Sequence, residues 1–314
     1  MASLSNYLFY TGMVTAAAAA LLYIAYIASA ALSGRQLSAQ TSAGTVTITQ
    51  PGGIPNPGIG RLATTFTAFT ILFLAGWVAT RWAAVGHTPL SNLYEFTAAF
   101  AFAIAVAYLA FEIVQGNRRF GALALPIVVA MLYIASLFPN EITPLIPALQ
   151  NGPLLTIHVS VMMLSYAVLT VAFCGAVVYL AQGGEGRRFS ALPTAEAAGD
   201  LAHKAVMVGF PLLGLGIALG AWWANSAWGR YWGWDPKETS ALVTWLSIVA
   251  YFHARAGSGS VAGAPGIRRI VPAVIRRGWR PDPMWWLVAM WALVMFTYFG
   301  VNLWISGLHS YAGV

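Results

Sequence analysis

The sequence predicts an all-helical protein that crosses a membrane about eight times. Hydrophobic residues make up 59% of its 314 residues and charged residues only 8%, and the mean hydropathy is +0.71, so most of the chain requires lipid around it. The hydrophobic residues form runs of about 20, the length that a helix needs to cross a bilayer. Lys and Arg cluster in alternate loops between these runs, which is typical of chains that cross a membrane repeatedly.

Each apolar run is interpreted as one membrane helix. The eight predicted spans lie near residues 6–33, 61–82, 92–114, 121–138, 154–181, 201–222, 239–255 and 284–304. The first span lacks a preceding basic segment and is too long for the apolar part of a signal peptide, which predicts a retained helix. The segment from Gly34 to Gly60 is rich in Gly, Pro, Ser and Thr, and we expect it to be a mobile cytoplasmic linker.

The distribution of positive charge predicts the orientation. When loops are assigned alternately to the two sides, thirteen of the sixteen Lys and Arg residues fall on one side, and Arg81, Arg230 and Lys237 fall on the other. Loops rich in Lys and Arg stay in the cytoplasm, so both termini are predicted to be extracytoplasmic. The net charge of +7 is then a consequence of topology and does not indicate a surface for nucleic acid. The alanine-rich composition favours a bacterial plasma membrane, with a thylakoid membrane as the alternative.

The cysteine content excludes two classes of protein. Cys174 is the single cysteine and lies inside an apolar span, so no disulfide can form within the chain. There is neither a C-x-x-C thiol pair nor a C-x-x-C-H haem attachment motif. The protein is therefore neither a thiol oxidoreductase nor itself a c-type cytochrome.

One stretch, WWANSAWGRYWGWDPKET at residues 222–239, concentrates the aromatic residues and is predicted to face the outside. It holds five of the thirteen Trp residues. The aromatic candidates for ligand binding are Trp222, Trp223, Trp228, Tyr231, Trp232 and Trp234. A belt of Trp and Tyr at the membrane boundary would account for one or two of them at a helix end. A floor of aromatic rings broken by glycines suits the face of a large planar ligand, and the density of Trp favours this second interpretation.

Two helix starts account for several polar residues near the outer boundary. Asp235 and Glu238, with a proline between them at the first helical position, fit a capping box. Asn92 and Glu95 fit another at the start of the third span. A role as a helix cap is therefore sufficient to explain Asp235 without a ligand. His87, in the loop before Asn92, is explained by neither capping box. Its side chain is either simply solvated or has a role in ligand binding or gating.

Two of the five histidines are predicted to lie at the level of the Trp-rich stretch. His158 is about one turn inside the outer end of the fifth span, and His309 follows the eighth. Two neutral imidazoles surrounded by aromatic rings are what a bis-histidine haem requires, although both side chains could also simply occupy the interface. His253 lies eighteen residues beyond Asp235, roughly 27 Å along a helix, so it is predicted near the cytoplasmic boundary.

Several motifs resemble those of a known family. The run WANSAWGRYWGWDPKET resembles the "WWD" signature of haem-handling proteins. The segments GHTPLSNLYE, LLTIHVSVMMLSYAVL, the run from WDPKETSALVTWL to FHAR, and GVNLWISGLHSY are similar, in the same order, to the CcsA (ResC) branch of System II cytochrome c biogenesis. The resemblance covers about residues 80–310. It divides the chain into N-terminal helices with a linker at 1–80 and a haem-handling membrane domain at 81–314, with the WWD loop at 222–239.

The resemblance implies that the protein moves haem b across the membrane to an external site. There, together with a ResB/CcsB partner, it would present haem for attachment to the C-x-x-C-H motif of apocytochrome c, as part of a cytochrome c synthase (haem lyase) complex. His158 and His309 would be the axial ligands of the external haem. His253 would be one ligand of a second, inner haem whose opposite ligand comes from the partner. His203 is the one unassigned histidine predicted at that depth.

The resemblance also implies roles for the remaining candidates. The Trp and Tyr rings of the WWD loop, with Asp235, would hold the porphyrin, and Arg230 or Lys237 would pair with a haem propionate. Three other functions stay open from the residues. They are a membrane b-type cytochrome, a WWD protein that passes haem to a chaperone, and a solute transporter, although a transporter would need broken helices and charges at mid-membrane that are scarce here.

Overall fold

The computed structural model describes residues 1–33, 35–41, 44–50, 53–142, 150, 152–184, 186–260, 282–305 and 307–309. Its long helices are α1 (Ala2–Leu32), α2 (Pro57–Val85), α3 (Leu93–Gln115), α4 (Gly121–Ser136), α5 (Gly152–Ala181), α6 (Ala195–Trp228), α7 (Pro236–Ser260) and α8 (Met284–Met295). A 3-10 turn at Arg118–Phe120 precedes α4, and α8 continues through a π-helical turn at Phe296–Gly300 into the short α9 (Val301–Trp304). The predicted fold class is confirmed.

Seven helical segments in the described part of the chain are long and apolar enough to cross a membrane. These are α1, α2, α3, α4 with its preceding turn, α5, α6 and the run Met284–Trp304. The remaining predicted span, the seventh, is confirmed as a helix of 25 residues, α7, which is less apolar because its first turn carries Lys237 and Glu238 and Arg255 lies near its end. Five arginines that contribute to the predicted orientation lie outside the described residues: Arg268, Arg269, Arg276, Arg277 and Arg280.

The predicted linker contains two β-strands, which the sequence analysis did not predict. Strand β1 (Arg35–Thr41) pairs antiparallel with β2 (Gly44–Gln50), with Arg35 opposite Gln50 and Thr41 opposite Gly44. The sequence GTVTITQ alternates Thr with β-branched apolar residues, which is typical of a strand. The strands were not predicted because the high Gly and Pro content of the whole segment outweighed this short pattern.

The sixth helix is longer than predicted, and the difference matters for the site. Instead of ending at Trp222, α6 continues to Trp228 and stops at Gly229, whose φ of 71° is left-handed and whose N–H donates to the carbonyl of Asn225 at 2.9 Å. The first part of the Trp-rich stretch is therefore helical. Only the residues from Gly229 to Asp235, which we name the aromatic loop, are irregular.

The described helices pack as two groups. Helices α1, α2, α3 and α4 contact one another, and α5, α6, α7 and α8 form the second group, with α5 and α6 the most extensively paired. The groups meet mainly where α3 packs against α5. This arrangement places the start of α5, the end of α6, the start of α7 and the residues after α8 at one end of the second group.

A buried ion pair fixes the corresponding end of the first group. Arg81 on α2 donates from Nε to Glu95 on α3 at 2.8 Å, with the two side chains 2% and 0% exposed. The predicted cap of α3 is confirmed, since Asn92 Oδ1 accepts from the Glu95 amide at 2.9 Å. The second half of that capping box differs, because the Glu95 carboxylate accepts from the amide and hydroxyl of Ser91 and not from Asn92. The ion pair thus holds the loop before α3 in place.

A second buried carboxylate ties three helices together at the other end. Glu112 on α3 accepts hydrogen bonds of 2.5 Å from the hydroxyls of Tyr23 on α1, Thr64 on α2 and Tyr108 on α3. Arg118 approaches the same carboxylate at 3.6 Å. Because both carboxylate oxygens accept hydrogen bonds and a cation lies nearby, the carboxylate is stabilised although the residue is only 5% exposed.

Candidate functional site

A cavity of about 140 Å³ lies at the end of the second helix group, beside the aromatic loop. Most of its wall is apolar, with a few polar side chains among the lining residues. Its lining consists of Phe96 on α3; Leu155, His158, Val159, Met162, Met163 and Tyr166 on α5; Ile217, Gly220, Ala221 and Trp223 on α6; Trp232 in the loop; Lys237, Glu238 and Ala241 on α7; and Thr297, Tyr298, Asn302 and His309 towards the C-terminus. The two histidines predicted at this level therefore share one cavity.

The imidazole of His158 is held by the backbone of α6. Its Nδ1 lies 2.9 Å from the carbonyl oxygen of Gly216. A carbonyl oxygen can only accept, so Nδ1 donates its proton and the lone pair is on Nε2. The ring fits because α6 has glycine where it passes the imidazole: a Cβ at Gly220 would lie 2.6 Å from His158 Cε1.

The imidazole of His309 is held by a carboxylate. Its Nδ1 lies 2.7 Å from Oδ2 of Asp235, a residue that is only 4% exposed. A carboxylate can only accept, so Nδ1 carries a proton and Nε2 of the neutral ring carries the lone pair. Burial tends to raise the pKa of Asp235, but the hydrogen bonds from His309 and from the amides of Lys237 and Leu308 outweigh burial and hold that pKa below its usual range.

Two tryptophans at the end of α6 pack against both imidazoles. The ring centroid of Trp223 lies 6.2 Å from that of His158, with the planes 9° apart, and 5.7 Å from that of His309. Trp228 contacts His309 at 4.8 Å and Trp223 at 4.7 Å. Trp223 is 1% exposed, and its indole N–H has no acceptor among the described residues. A buried donor without an acceptor requires an explanation, and its position beside two oriented imidazoles makes this region a candidate ligand site.

The remaining aromatic candidates are divided between the cavity and the surface. Trp232 lines the cavity and contacts Trp234 edge to face at 5.7 Å. Trp234 is 69% exposed and has a left-handed φ of 54°, which is strained for a residue with a side chain. Trp222 and Tyr231 are each 60% exposed. Of the six aromatic candidates, two therefore line the cavity, Trp228 packs against Trp223 and His309, and the other three are exposed.

The predicted capping box at the start of α7 is confirmed, and it also shapes the aromatic loop. Asp235 Oδ2 accepts from the amide of Lys237 at 3.0 Å, and Glu238 Oε2 accepts from the amide of Asp235 at 3.1 Å. The same Glu238 oxygen accepts from the amide of Gly233 at 2.9 Å. The cap and the loop conformation are therefore fixed by the same two carboxylates.

Of the two cations predicted to meet a propionate, Lys237 lies at the cavity. Its Nζ donates to Oδ1 of Asn302 at 2.7 Å, and Asn302 Nδ2 donates to the carbonyl of Tyr298 at 2.6 Å. This carbonyl belongs to the π-helical turn, a local irregularity that is frequent at functional sites. Arg230 is exposed and packs close to Gly233, away from the cavity lining.

The other histidines lie outside the cavity lining. His87 donates from Nδ1 to the carbonyl of Thr88 at 2.9 Å, and the Thr88 hydroxyl lies 2.8 Å from that of Thr156 on α5. His253 is exposed, with its Nδ1 2.9 Å from the carbonyl of Val249 in the preceding turn. His203 on α6 has its Nδ1 3.2 Å from the hydroxyl of Tyr251 on α7.

Sequence reasoning missed several residues that shape the cavity. Gly216, Gly220 and Asn302 were not singled out, although Asn302 lies in the quoted motif GVNLWISGLHSY and α6 is conspicuously rich in glycine. Tyr166, whose hydroxyl is buried with no hydrogen-bond partner in the described ranges, was also missed. No local pattern marks Tyr166, because its place in the wall depends on how α5 packs.

The sequence matches the family described as "Cytochrome C assembly protein" over residues 90–309, a range that contains every residue of the cavity. Among curated proteins, it is 33% identical over 310 residues to a cytochrome c biogenesis protein CcsA of Microcystis aeruginosa, with 81% of this chain and 88% of that protein covered. It is 34% identical over 304 residues to a CcsA of Pyropia yezoensis, covering 81% and 89%. A CcsA of Synechococcus elongatus is 33% identical over 306 residues, covering 81% and 88%.

Proposed function

Because the chain belongs to the cytochrome c assembly protein family, we propose that it carries haem b to the outer face of the membrane and presents it there to apocytochrome c. Relatives of this length are named cytochrome c biogenesis proteins, which supports a role in cytochrome c maturation. The observation that carries the finer proposal is the orientation of two imidazoles in one cavity. His158 and His309 both have Nδ1 on an oxygen acceptor, which is the tautomer in which Nε2 of a neutral imidazole can bind an iron.

The donor set fits haem better than a bare metal ion. No group of three or more potential metal ligands among His, Cys, Asp and Glu occurs in the described residues, whereas a haem iron needs only two protein ligands. Trp223, Trp228 and Trp232 supply aromatic surface for the macrocycle, and Lys237 supplies a positive charge for a propionate. When bound, haem supplies the vinyl groups to which cysteine thiols are added and an iron whose redox state must be controlled.

The aromatic loop has to move for a macrocycle to enter. The cavity volume of about 140 Å³ is well below the roughly 300 to 1,000 Å³ of pockets for organic ligands. Trp234 has a strained backbone and an exposed side chain, so opening the loop there would release strain without disrupting a buried core. Tyr231 and Trp222 are exposed beside it and form the surface that apocytochrome c would meet.

His253 is proposed to bind an inner haem together with a partner subunit. Its ring is exposed and has Nδ1 bonded to the carbonyl of Val249, so Nε2 would be the nitrogen that binds the iron. His203, which contacts Tyr251, is a poorer candidate for the opposite ligand. A ResB/CcsB partner that contributes this ligand would complete a haem lyase complex, which we place in a bacterial plasma membrane with the aromatic loop and both termini outside.

Formation of holocytochrome tests this function. The chain is co-expressed with its partner subunit and an apocytochrome c in a host without its own system, and covalent haem is measured by haem staining of denaturing gels. His158→Ala and His309→Ala are expected to lower holocytochrome at least about tenfold, because each removes an iron ligand, and added imidazole should restore part of it. His87→Ala is the control, since this histidine is at the same end of the bundle but does not line the cavity.

Equal membrane levels of all variants, measured by immunoblot, are required for the comparison. Full holocytochrome formation by both His158→Ala and His309→Ala would contradict the proposal that these two histidines present haem.

A further inference from the structure

Asp235 is the most heavily used acceptor at the site. Its Oδ2 accepts from His309 Nδ1 at 2.7 Å and from the amide of Lys237 at 3.0 Å, and its Oδ1 accepts from the amide of Leu308 at 2.6 Å. A Cβ at Gly307 would lie 2.6 Å from that same Oδ1, so only glycine lets the C-terminal segment approach. One buried carboxylate therefore joins the start of α7 to the segment that carries His309.

The two imidazoles have different acceptors. His158 donates to a neutral main-chain carbonyl, whereas His309 donates to a carboxylate. A charge-assisted hydrogen bond is roughly twice as strong as a neutral one, and it shifts electron density onto the imidazole. His309 is thereby the more rigidly oriented ring and the stronger electron donor of the pair.

We infer that Asp235 acts on haem through His309, as a positioning residue, and not by contacting the macrocycle itself. It fixes the tautomer and direction of the His309 ring, and it strengthens His309 as an iron ligand. A stronger axial donor stabilises the oxidised iron, so Asp235 lowers the reduction potential of the external haem. This inference rests on the proposed function, because it requires an iron at the cavity.

A role as a helix cap alone would explain part of the same geometry, and one substitution separates the two roles. Asn caps helices about as well as Asp, so Asp235→Asn keeps an acceptor oxygen for the backbone amides. Its amide nitrogen, however, carries hydrogens and cannot accept from His309 Nδ1. If the side-chain oxygen serves the amides, the ring must accept through Nδ1, which puts its proton on Nε2 and removes the lone pair needed by iron.

The test uses the full chain purified in detergent with its partner subunit and loaded with haem. Spin state is measured by electron paramagnetic resonance and visible spectroscopy, and the reduction midpoint by redox titration. Wild type should be low-spin. Asp235→Asn should show a high-spin fraction that added imidazole converts to low-spin, and its remaining low-spin haem should have a raised midpoint. Thr194→Ala, which removes the side-chain cap of α6 at the other end of the bundle, should behave as wild type.

The outcomes distinguish this inference from the proposed function. A wild type without haem would overturn the proposed function and the inference with it. A haem-loaded wild type with an Asp235→Asn variant of identical spin state and midpoint would overturn the inference alone. Haem loss in Asp235→Asn that imidazole does not restore would also overturn it, because a structural role of Asp235 would then account for the effect.

Discussion

At the scale of single residues, the site depends on which groups accept hydrogen bonds from the two imidazoles. His158 and His309 could be chosen from the sequence because histidine is rare here and an ionisable group in an apolar span is unfavourable without a purpose. Asp235 was recognisable as a cap, and its contact with His309 was not, because the two are 74 positions apart. The importance of Gly220 could not be predicted from the sequence either, because it depends on the imidazole of His158 on α5 packing against it.

Gly220→Ala should weaken haem binding without weakening the fold. The new Cβ would lie 2.6 Å from His158 Cε1 and 3.1 Å from its Nδ1, so the imidazole would have to leave its hydrogen bond to Gly216. Ala stabilises a helix interior by about 1 kcal/mol relative to Gly, so thermal stability should not fall for lack of helix propensity. The measurement is haem per protein after purification, where a loss of about tenfold corresponds to ~1.4 kcal/mol.

Gly152→Ala is the matched control for this substitution. Gly152 begins α5, the helix that carries His158, and a Cβ there would meet nothing within 4 Å. Equal haem content in Gly220→Ala, Gly152→Ala and wild type would show that the close passage of His158 over α6 is unimportant for binding.

At the scale of elements, the existence and type of the helices were predictable because each apolar run is long and has polar ends. The ends of the helices were less predictable. Helix α6 includes Trp223 and Trp228, because no residue before Gly229 ends the helix. The strands β1 and β2 were missed because seven-residue strands leave a weak pattern within a Gly-rich segment. The distinction between helical and irregular parts of the Trp-rich stretch explains why two of its rings contact histidines while others are exposed.

Helix α6 should cross the membrane with Trp228 outside, and its ends offer a direct test of that prediction. Cys174 is buried, so Cys174→Ala gives a cysteine-free background. Ser226→Cys near the end of α6 should react with a membrane-impermeant maleimide in intact cells, whereas Arg187→Cys, exposed in the loop before α6, should react only after permeabilisation. The reverse pattern would contradict the orientation derived from the distribution of Lys and Arg.

At the scale of the whole molecule, the second helix group carries the cavity and the first supports it. Among the described residues, Phe96 on α3 is the one lining residue from the first group, and α3 is also the helix that makes most of the contact between the two groups. The buried Arg81 and Glu95 pair fixes the neighbouring end of α3. Composition was sufficient to predict a helical membrane bundle. The convergence of α5, α6, α7 and the C-terminal segment on one cavity required the three-dimensional packing.

The central claim is that one iron is held between His158 and His309 at the outer cavity. The most direct measurement is the reduced-minus-oxidised visible spectrum of the detergent-purified protein, recorded for wild type, His158→Ala and His309→Ala. We predict a low-spin b-type spectrum in wild type that is weakened in both variants and partly restored by imidazole. No haem in wild type, even after co-expression with its partner and a haem supply, or full low-spin spectra in both variants, would contradict the claim.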